Sequence, residues 1–170
     1  MGLAIRKLDA RDAAAYQRLR LRALEECPAA FSASHADESA RTMDEVATRL
    51  VPSLDGAFCM FGAFDAAAVV GFVAFIRPLR PKLAHGAQVA GMYVAPECRR
   101  HGAGHLLMAA LIAHARALDL RNLKLSLNVG NVPARRLYES AGFTQFGVEP
   151  GALCIDGAYF DEAHMVLRLR

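Results

Sequence analysis

Short apolar runs alternate along this chain with longer stretches whose apolar residues recur at helical spacing, and the alternation predicts most of the elements. Ala4 to Leu8 reads as a first strand. Asp9 or Asp12 can cap the helix after it, whose Tyr16, Leu19, Arg20, Ala23 and Leu24 share one face and which stops at Cys27-Pro28. Thr42 followed by Glu45 forms a capping box for a second short helix through about Leu50, ended by Pro52. Ala57 to Phe64 and Val69 to Ile76, rich in Phe and Val, predict an antiparallel hairpin covered on both faces, and Gln88 to Val94 the next strand. From Gly104 to Leu118 two adjacent stripes, Leu107/Leu111/His114/Leu118 and Leu106/Ala110/Ala113/Ala117, give a helix that buries a wide face. Leu123 to Leu127 is a strand, Asn131 or its neighbours open a helix through Ala141, and Gly142 closes it. Phe143 onward returns to strand, and Asp156-Gly157 marks a tight turn before a last strand ending near Leu169. This order predicts an α/β layered fold on a mixed sheet.

The 170 residues are expected to form a single domain, residues 1–170, because no repeat, low-complexity tract or linker divides them. With 54% hydrophobic and 22% charged residues the chain can bury a core, and disorder through charge excess is excluded. Its net charge of +3 is too mild to argue for nucleic acid, and no concentrated basic face is visible. The longest charge-free apolar stretch in the middle of the chain, Ala66 to Ile76, is too short to span a bilayer, so no membrane association is expected. No secretory signal is visible, and Arg6 breaks the Met-Gly myristoylation pattern, so a cytoplasmic location is the expectation. Cys27, Cys59, Cys98 and Cys154 have neither metal-ligand nor disulfide-framework spacing and read as free thiols.

The segment Val94-Ala95-Pro96-Glu97-Cys98-Arg99-Arg100-His101-Gly102-Ala103-Gly104 joins a buried strand to a buried helix. Pro96 stops the strand, and Gly102 and Gly104 let the backbone come close to a ligand at a helix N-terminus. Arg99, Arg100 and His101 add positive charge there, so the turn is expected to bind an anion such as a pyrophosphate. A dinucleotide turn is disfavoured, because Leu107 stands at the third glycine position and the next strand ends at Asn128 rather than an acid. A P-loop is excluded by the absence of Gly-Lys-Ser/Thr.

Arg99-Arg100-His101-Gly102-Ala103-Gly104 resembles the Arg/Gln-x-x-Gly-x-Gly/Ala motif of the GNAT superfamily of acyl-CoA-dependent N-acetyltransferases. Gly91-Met92-Tyr93-Val94-Ala95-Pro96 is similar to the family's central strand, and the segment from Asn131 to Phe143 resembles its Asn-x-x-Ala-x-x-Leu-Tyr-x-x-x-Gly-Phe pattern. The resemblance implies a mostly antiparallel central sheet of six to seven strands flanked by helices in three α/β/α layers. It further implies that the strands ending near Val94 and Asn128 splay apart to hold the pantetheine arm of acetyl-CoA, with Gly91 permitting a bulge. Cofactor contacts are then expected from Met92, Tyr93 and Val94, from Arg99, Arg100, His101, Gly102, Ala103 and Gly104 around the pyrophosphate, and from Asn131 and Tyr138. The side chains of Met92 and Val94 equally suit a core.

In the family the position of Tyr138 is a general acid. It lies seven residues after Asn131, on the same face two helical turns on. A phenol of pKa about 10 can share a proton with a leaving thiol of about 8.5; a packed Leu-Tyr pair has the same spacing. Where many members place a glutamate on the strand before the loop, this chain has Gln88, so no catalytic base carries over; Glu25, Glu26, His35 and Glu149 are the other candidates. Between Glu25 and Glu45 six carboxylates face one arginine, Arg41, which would favour cationic amine acceptors if the segment borders the acceptor site. The turn from Asp156 to Glu162, with Tyr159, is a candidate second border.

The expected function is transfer of acetyl from acetyl-CoA to a primary amine by direct attack, on a small molecule or a peptide N-terminus, with no covalent enzyme intermediate and no metal. His101 and His105 stand four apart without a His-Glu-x-x-His pattern, and a homodimer is compatible with the apolar sheet edges. The alternative is a non-catalytic acyl-CoA sensor of the same fold, motivated by Gln88.

Overall fold

The computed structural model describes residues 2–170. Its sheet has seven strands: β1 (Leu3–Lys7), β2 (Phe58–Asp65), β3 (Ala68–Ile76), β4 (Gly86–Val94), β5 (Asn122–Asn128), β6 (Thr144–Ile155) and β7 (Ala158–Arg168). The spatial order is β1-β2-β3-β4-β5-β7-β6, and every pairing is antiparallel except β4 with β5. The helices are α1 (Ala13–Glu26), α2 (His35–Ser39), α3 (Met43–Leu50), α4 (Ala103–Ala117) and α5 (Val132–Ser140). The mixed, mostly antiparallel sheet flanked by helices agrees with the expectation from the sequence.

Period-two alternation divides the apolar residues between two faces of the sheet. On one, Phe61, Val73, Phe75, Leu123 and Met165 pack with Leu107, Met108 and Leu111 of α4; on the other, Phe72 and Met60 pack with Tyr16, Leu19 and Leu24 of α1 and Val46 and Leu50 of α3. His114 meets the rings of Phe61 and Phe75 edge-on at 5.7 and 4.9 Å, and burial lowers its pKa, so it is a core histidine as its place in the stripe anticipated.

Local chemistry sets the element ends. Asp9 takes the amide of Arg11 at 2.9 Å and Asp12 that of Asp9 at 3.0 Å in the turn that enters α1, and Thr42 and Glu45 cap α3 reciprocally, as read from the sequence. The hydrophobic pattern does not predict α2. It is a five-residue helix with too few residues to show a period, although Ser34 and Asp37 give it the same box. Asp156 and Gly157 make the two-residue turn between β6 and β7, where Ile155 pairs with Ala158.

Candidate active site

The parallel pairing of β4 with β5 lasts three residues: Gly86 faces Asn122, Ala87 faces Leu123 and Gln88 faces Lys124. Beyond them the strands part. The cause lies in β4, where Gly91 has φ of +59° and the register with β3 slips between Phe72 and Ala74, so the strand bulges. Ala95 donates to the Val70 carbonyl at 2.9 Å and Tyr93 lies opposite Phe72. Alternation along an antiparallel ladder therefore turns the main-chain groups of Met92 and Val94 toward the gap and those of Tyr93 toward β3.

The gap is a narrow cleft of about 60 Å³ lined by Met92, Ser126, Asn128, Asn131 and Tyr138. Asn131 caps α5 by accepting the amide of Ala134 at 3.2 Å, which fixes the start of the helix that carries Tyr138. Tyr138 is 6% exposed, and burial pushes its phenol well above the ordinary value of 10. The phenol therefore stays protonated through neutral pH and is suited to give a hydrogen bond at the cleft rather than to take a proton.

Past β4 the chain makes a short helical turn, Pro96–Cys98, and reaches α4 through Arg100 (φ +64°) and Gly102 (φ +84°). Gly102 stands at the N-cap without a side chain to offer, and the first amide to find an acceptor across it is that of Leu106, bonded to the Gly102 carbonyl at 3.0 Å. Among the described residues no acceptor takes the amides of Ala103, Gly104 and His105, which leaves them suited to an anion with the positive end of a 15-residue helix behind them. Gly104 serves packing as well: a Cβ there would lie 3.1 Å from Leu137, so its absence lets α4 and α5 close together beside the cleft.

The residues predicted to hold acetyl-CoA fall into distinct placements. Met92, Asn131 and Tyr138 line the cleft. Gly102, Ala103 and Gly104 present backbone at the start of α4; the Ala103 side chain is buried, leaving only its amide available. Arg100 and His101 are exposed beside them. Val94 sits at the edge, its carbonyl already accepting from Arg99 Nε at 2.9 Å. Two residues depart from the expectation. Tyr93 is turned away, buried against Phe72 with its hydroxyl donating to Glu26 Oε2 at 2.6 Å. Arg99 lies over the Tyr93 ring, with its guanidinium 3.8 Å from Glu26 and its Nε on the Val94 carbonyl.

At the bulge the narrow cleft meets a larger cavity of about 760 Å³, since Val89, Ala90, Gly91 and Ser126 line both. The cavity lies over β4, β5, β7 and β6 on the α1 side of the sheet. Gln88 lines it, as does Glu149, whose Oε2 is 3.0 Å from His164 Nε2. The other bases considered from the sequence are engaged elsewhere. Tyr93, Arg22 and Arg99 hold the Glu26 carboxyl below the usual range, and Glu25 pairs with His35 at 3.1 Å on the surface.

The acidic segment from Glu25 to Glu45 does not form the free negative lip that the charge count predicted. Asp37 and Glu45 are spent on helix caps. Glu38, 2% exposed, sits among Arg49 at 3.0 Å, Arg41 at 3.3 Å and Arg20 at 3.9 Å. Three guanidinium groups around one carboxylate reverse the local sign. The sequence alone does not single out His164, which carries no motif, or the role of Arg20, whose signal is a charge within the buried stripe of α1 that helical spacing does not interpret.

Residues 18–143 match the family model described as the acetyltransferase (GNAT) family. Over 97 residues the chain is 31% identical to YwnH of Bacillus subtilis (strain 168), provisionally named a phosphinothricin acetyltransferase; the match covers 57% of this chain and 58% of that protein. Among solved structures, an acetyltransferase of the GNAT family from Streptococcus pneumoniae superposes with a TM-score of 0.86 at 23% identity, covering 98% of this chain and 99% of the other. The yncA protein of Salmonella typhimurium, solved with acetyl-CoA, gives 0.84 at 22% identity, covering 100% and 95%.

Proposed function

The chain belongs to the acetyltransferase (GNAT) family, and on that premise we propose that it moves the acetyl group of acetyl-CoA to a primary amine by direct attack. The observation that carries the reading is the parting of β4 and β5 after three paired residues, with uncapped amides at the start of α4 on one side and a charged cavity on the other. Its residues fit acetyl-CoA: the main-chain groups of Met92 and the amide of Val94, whose carbonyl Arg99 occupies, face the gap to pair with the amides of an extended arm, and the amides of Ala103, Gly104 and His105 suit a pyrophosphate.

Bound acetyl-CoA would supply an acyl group activated as a thioester. In this reading Tyr138 donates a hydrogen bond to the departing sulfur, a role that its burial and protonated phenol support. The acceptor arrives as an ammonium and must lose a proton. Gln88 cannot take it; His164 can, because pairing with Glu149 commits Nε2 as donor and leaves Nδ1 as acceptor. The cavity, not a cysteine, brings the amine to the acyl carbon at the Gly91 bulge.

The test is release of CoA thiol from acetyl-CoA on adding amines, with Tyr138→Phe as the control. Amine-dependent release that falls in Y138F, with acetyl-CoA affinity kept, is expected. Tight acetyl-CoA binding without transfer to any amine would instead indicate a binding module.

A further inference from the structure

Arg20 is the buried arginine of the acceptor cavity, and among the described residues no group accepts a hydrogen bond from it. It projects from α1 and is 8% exposed, with its guanidinium carbon 4.5 Å from the ring centre of Phe31 and 6.0 Å from that of Phe72. Stacking holds the plane but satisfies none of the five N–H donors of the group. Its buried Nε has no hydrogen-bond partner among the described residues. The carboxylate beside it, Glu38, lies at 3.9 Å, beyond hydrogen-bond reach, and already bonds Arg49 through both oxygens at 3.2 and 3.0 Å. A buried guanidinium so weakly paired is costly to keep unless something else enters.

Its position says what enters. Arg20 lines the large cavity, and its Nη1 is 3.8 Å from where a Cβ on Gly91 would lie, at the bulge where cavity and cleft meet. The opposite wall has the other sign. Glu149 and Glu162 face each other across β6 and β7 and both line the cavity, an adjacency of like charges that a cation between them would relieve. Arg49 lies on the Arg20 side, while Lys124 and His164 line the floor. The cavity is therefore bipolar, with surplus positive charge near the reacting position and paired acids across from it.

We infer that Arg20 binds an oxyanion of the acceptor, so that the substrates are amines carrying an anionic group close to the nitrogen, α-amino acids foremost, and not simple amines or polyamines. A planar guanidinium already stacked in place presents its outer N–H groups to a carboxylate or phosphonate in a fork. In an α-amino acid one carbon separates nitrogen from carboxylate, so an anion held by Arg20 keeps the amine beside Gly91, while the acid wall receives the ammonium before it is deprotonated. The inference rests on the acetyl transfer proposed above and reverses the preference for cationic acceptors drawn from the sequence alone.

The test compares acceptors that differ only in the anion: the twenty L-amino acids, their carboxamides, aminomethylphosphonate and spermidine, each assayed for thiol release from acetyl-CoA. At least one free acid is expected to exceed its own amide by roughly 10- to 100-fold in kcat/KM, the size of a charge-assisted hydrogen-bonded contact; the phosphonate tells carboxylate from a general oxyanion preference. Arg20→Met should remove that advantage while acetyl-CoA affinity, measured by titration, stays the same, and Arg20→Lys should restore part of it. Amides or spermidine matching the acids, no turnover with any oxyanion-bearing probe, or an R20M defect confined to the KM of acetyl-CoA would each overturn the assignment. The wild-type acid-to-amide ratio decides even if R20M does not fold. Failure of acetyl-CoA to bind at all would count against the acetyl-transfer reading itself.

Discussion

The cofactor side of the cleft and its acceptor side are made of different material. The first is mostly main chain from two continuous stretches, β4 through the start of α4 and the start of α5, where in the proposed function a bulge, an N-cap and a helix dipole would do the binding. The second is side chains gathered from α1, α3 and β4 to β7, and its chemistry lies in which charges are paired. Backbone sites of the first kind recognise a constant group and tolerate exchange of side chains, whereas a side-chain cavity changes its acceptor with single substitutions. The variants below separate the two sides.

The largest effect on turnover is expected at the junction. Tyr138→Phe should lower kcat by about 10²-fold or more, the usual share of a positioned acid, with acetyl-CoA affinity by titration unchanged. The largest effect on stability is expected on the acceptor side, where Glu38→Ala would strand Arg20, Arg41 and Arg49 around a vacated site. Removing one member of such a buried cluster costs about 3–5 kcal/mol, to be read as a fall in chemical-denaturation midpoint. If E38A were as stable as wild type, the acceptor wall would not depend on that carboxylate.

His164→Gln should reduce kcat about tenfold or more, with little effect on the KM of acetyl-CoA. A shift in cofactor KM alone would move His164 to the other side of the comparison. Gly102→Val sharpens the cofactor side. A β-branched residue at φ +84° costs about 1–2 kcal/mol, so acetyl-CoA affinity should fall about tenfold, while the ratio of rates for an amino acid and its amide stays constant.

How legible each side was in the sequence follows from the same contrast. The strand, the loop from Pro96 to Gly104 and the segment from Asn131 to Phe143 were readable because a backbone site needs particular residues at fixed local spacing: Gly91 for the bulge, Gly102 for the left-handed N-cap, Asn131 to cap α5. Tyr93 and Arg99 lay within that segment, but proximity in sequence did not reveal that strand alternation turns Tyr93 away and that Glu26 engages both. The acceptor side was hidden because Arg20, Glu149 and His164 meet only through the sheet order. Charge counting from Glu25 to Glu45 could not show that Asp37 and Glu45 cap helices and that Glu38 is buried. Nor could the count show that Glu38 is shared by three arginines.

A smaller effect concerns the strut between α1 and the loop that precedes α4. Arg22 bonds Glu97 at 2.6 Å and Glu26 at 2.8 Å, and Tyr93 adds its hydroxyl to Glu26. The folded-state pKa of Glu97 is held down to about 2 and that of Glu26 lies below 4.5. A depressed carboxylate contributes its stability above the unfolded value and loses it as pH falls through the folded one. Thermal stability should therefore decline from about pH 4.5 toward pH 2, and Glu97→Gln should flatten part of that decline, a change of small size because the pair is exposed. An E97Q melting curve with unaltered pH dependence would remove the strut from the account.

The central claim, that parting of β4 from β5 builds an acyl-CoA site, is tested most directly by calorimetric titration of the purified protein with acetyl-CoA, CoA and NADH at moderate salt. Saturable binding of both CoA species at one site per chain, with none of NADH, is the predicted result. Absence of CoA binding, or equal binding of NADH, would contradict it.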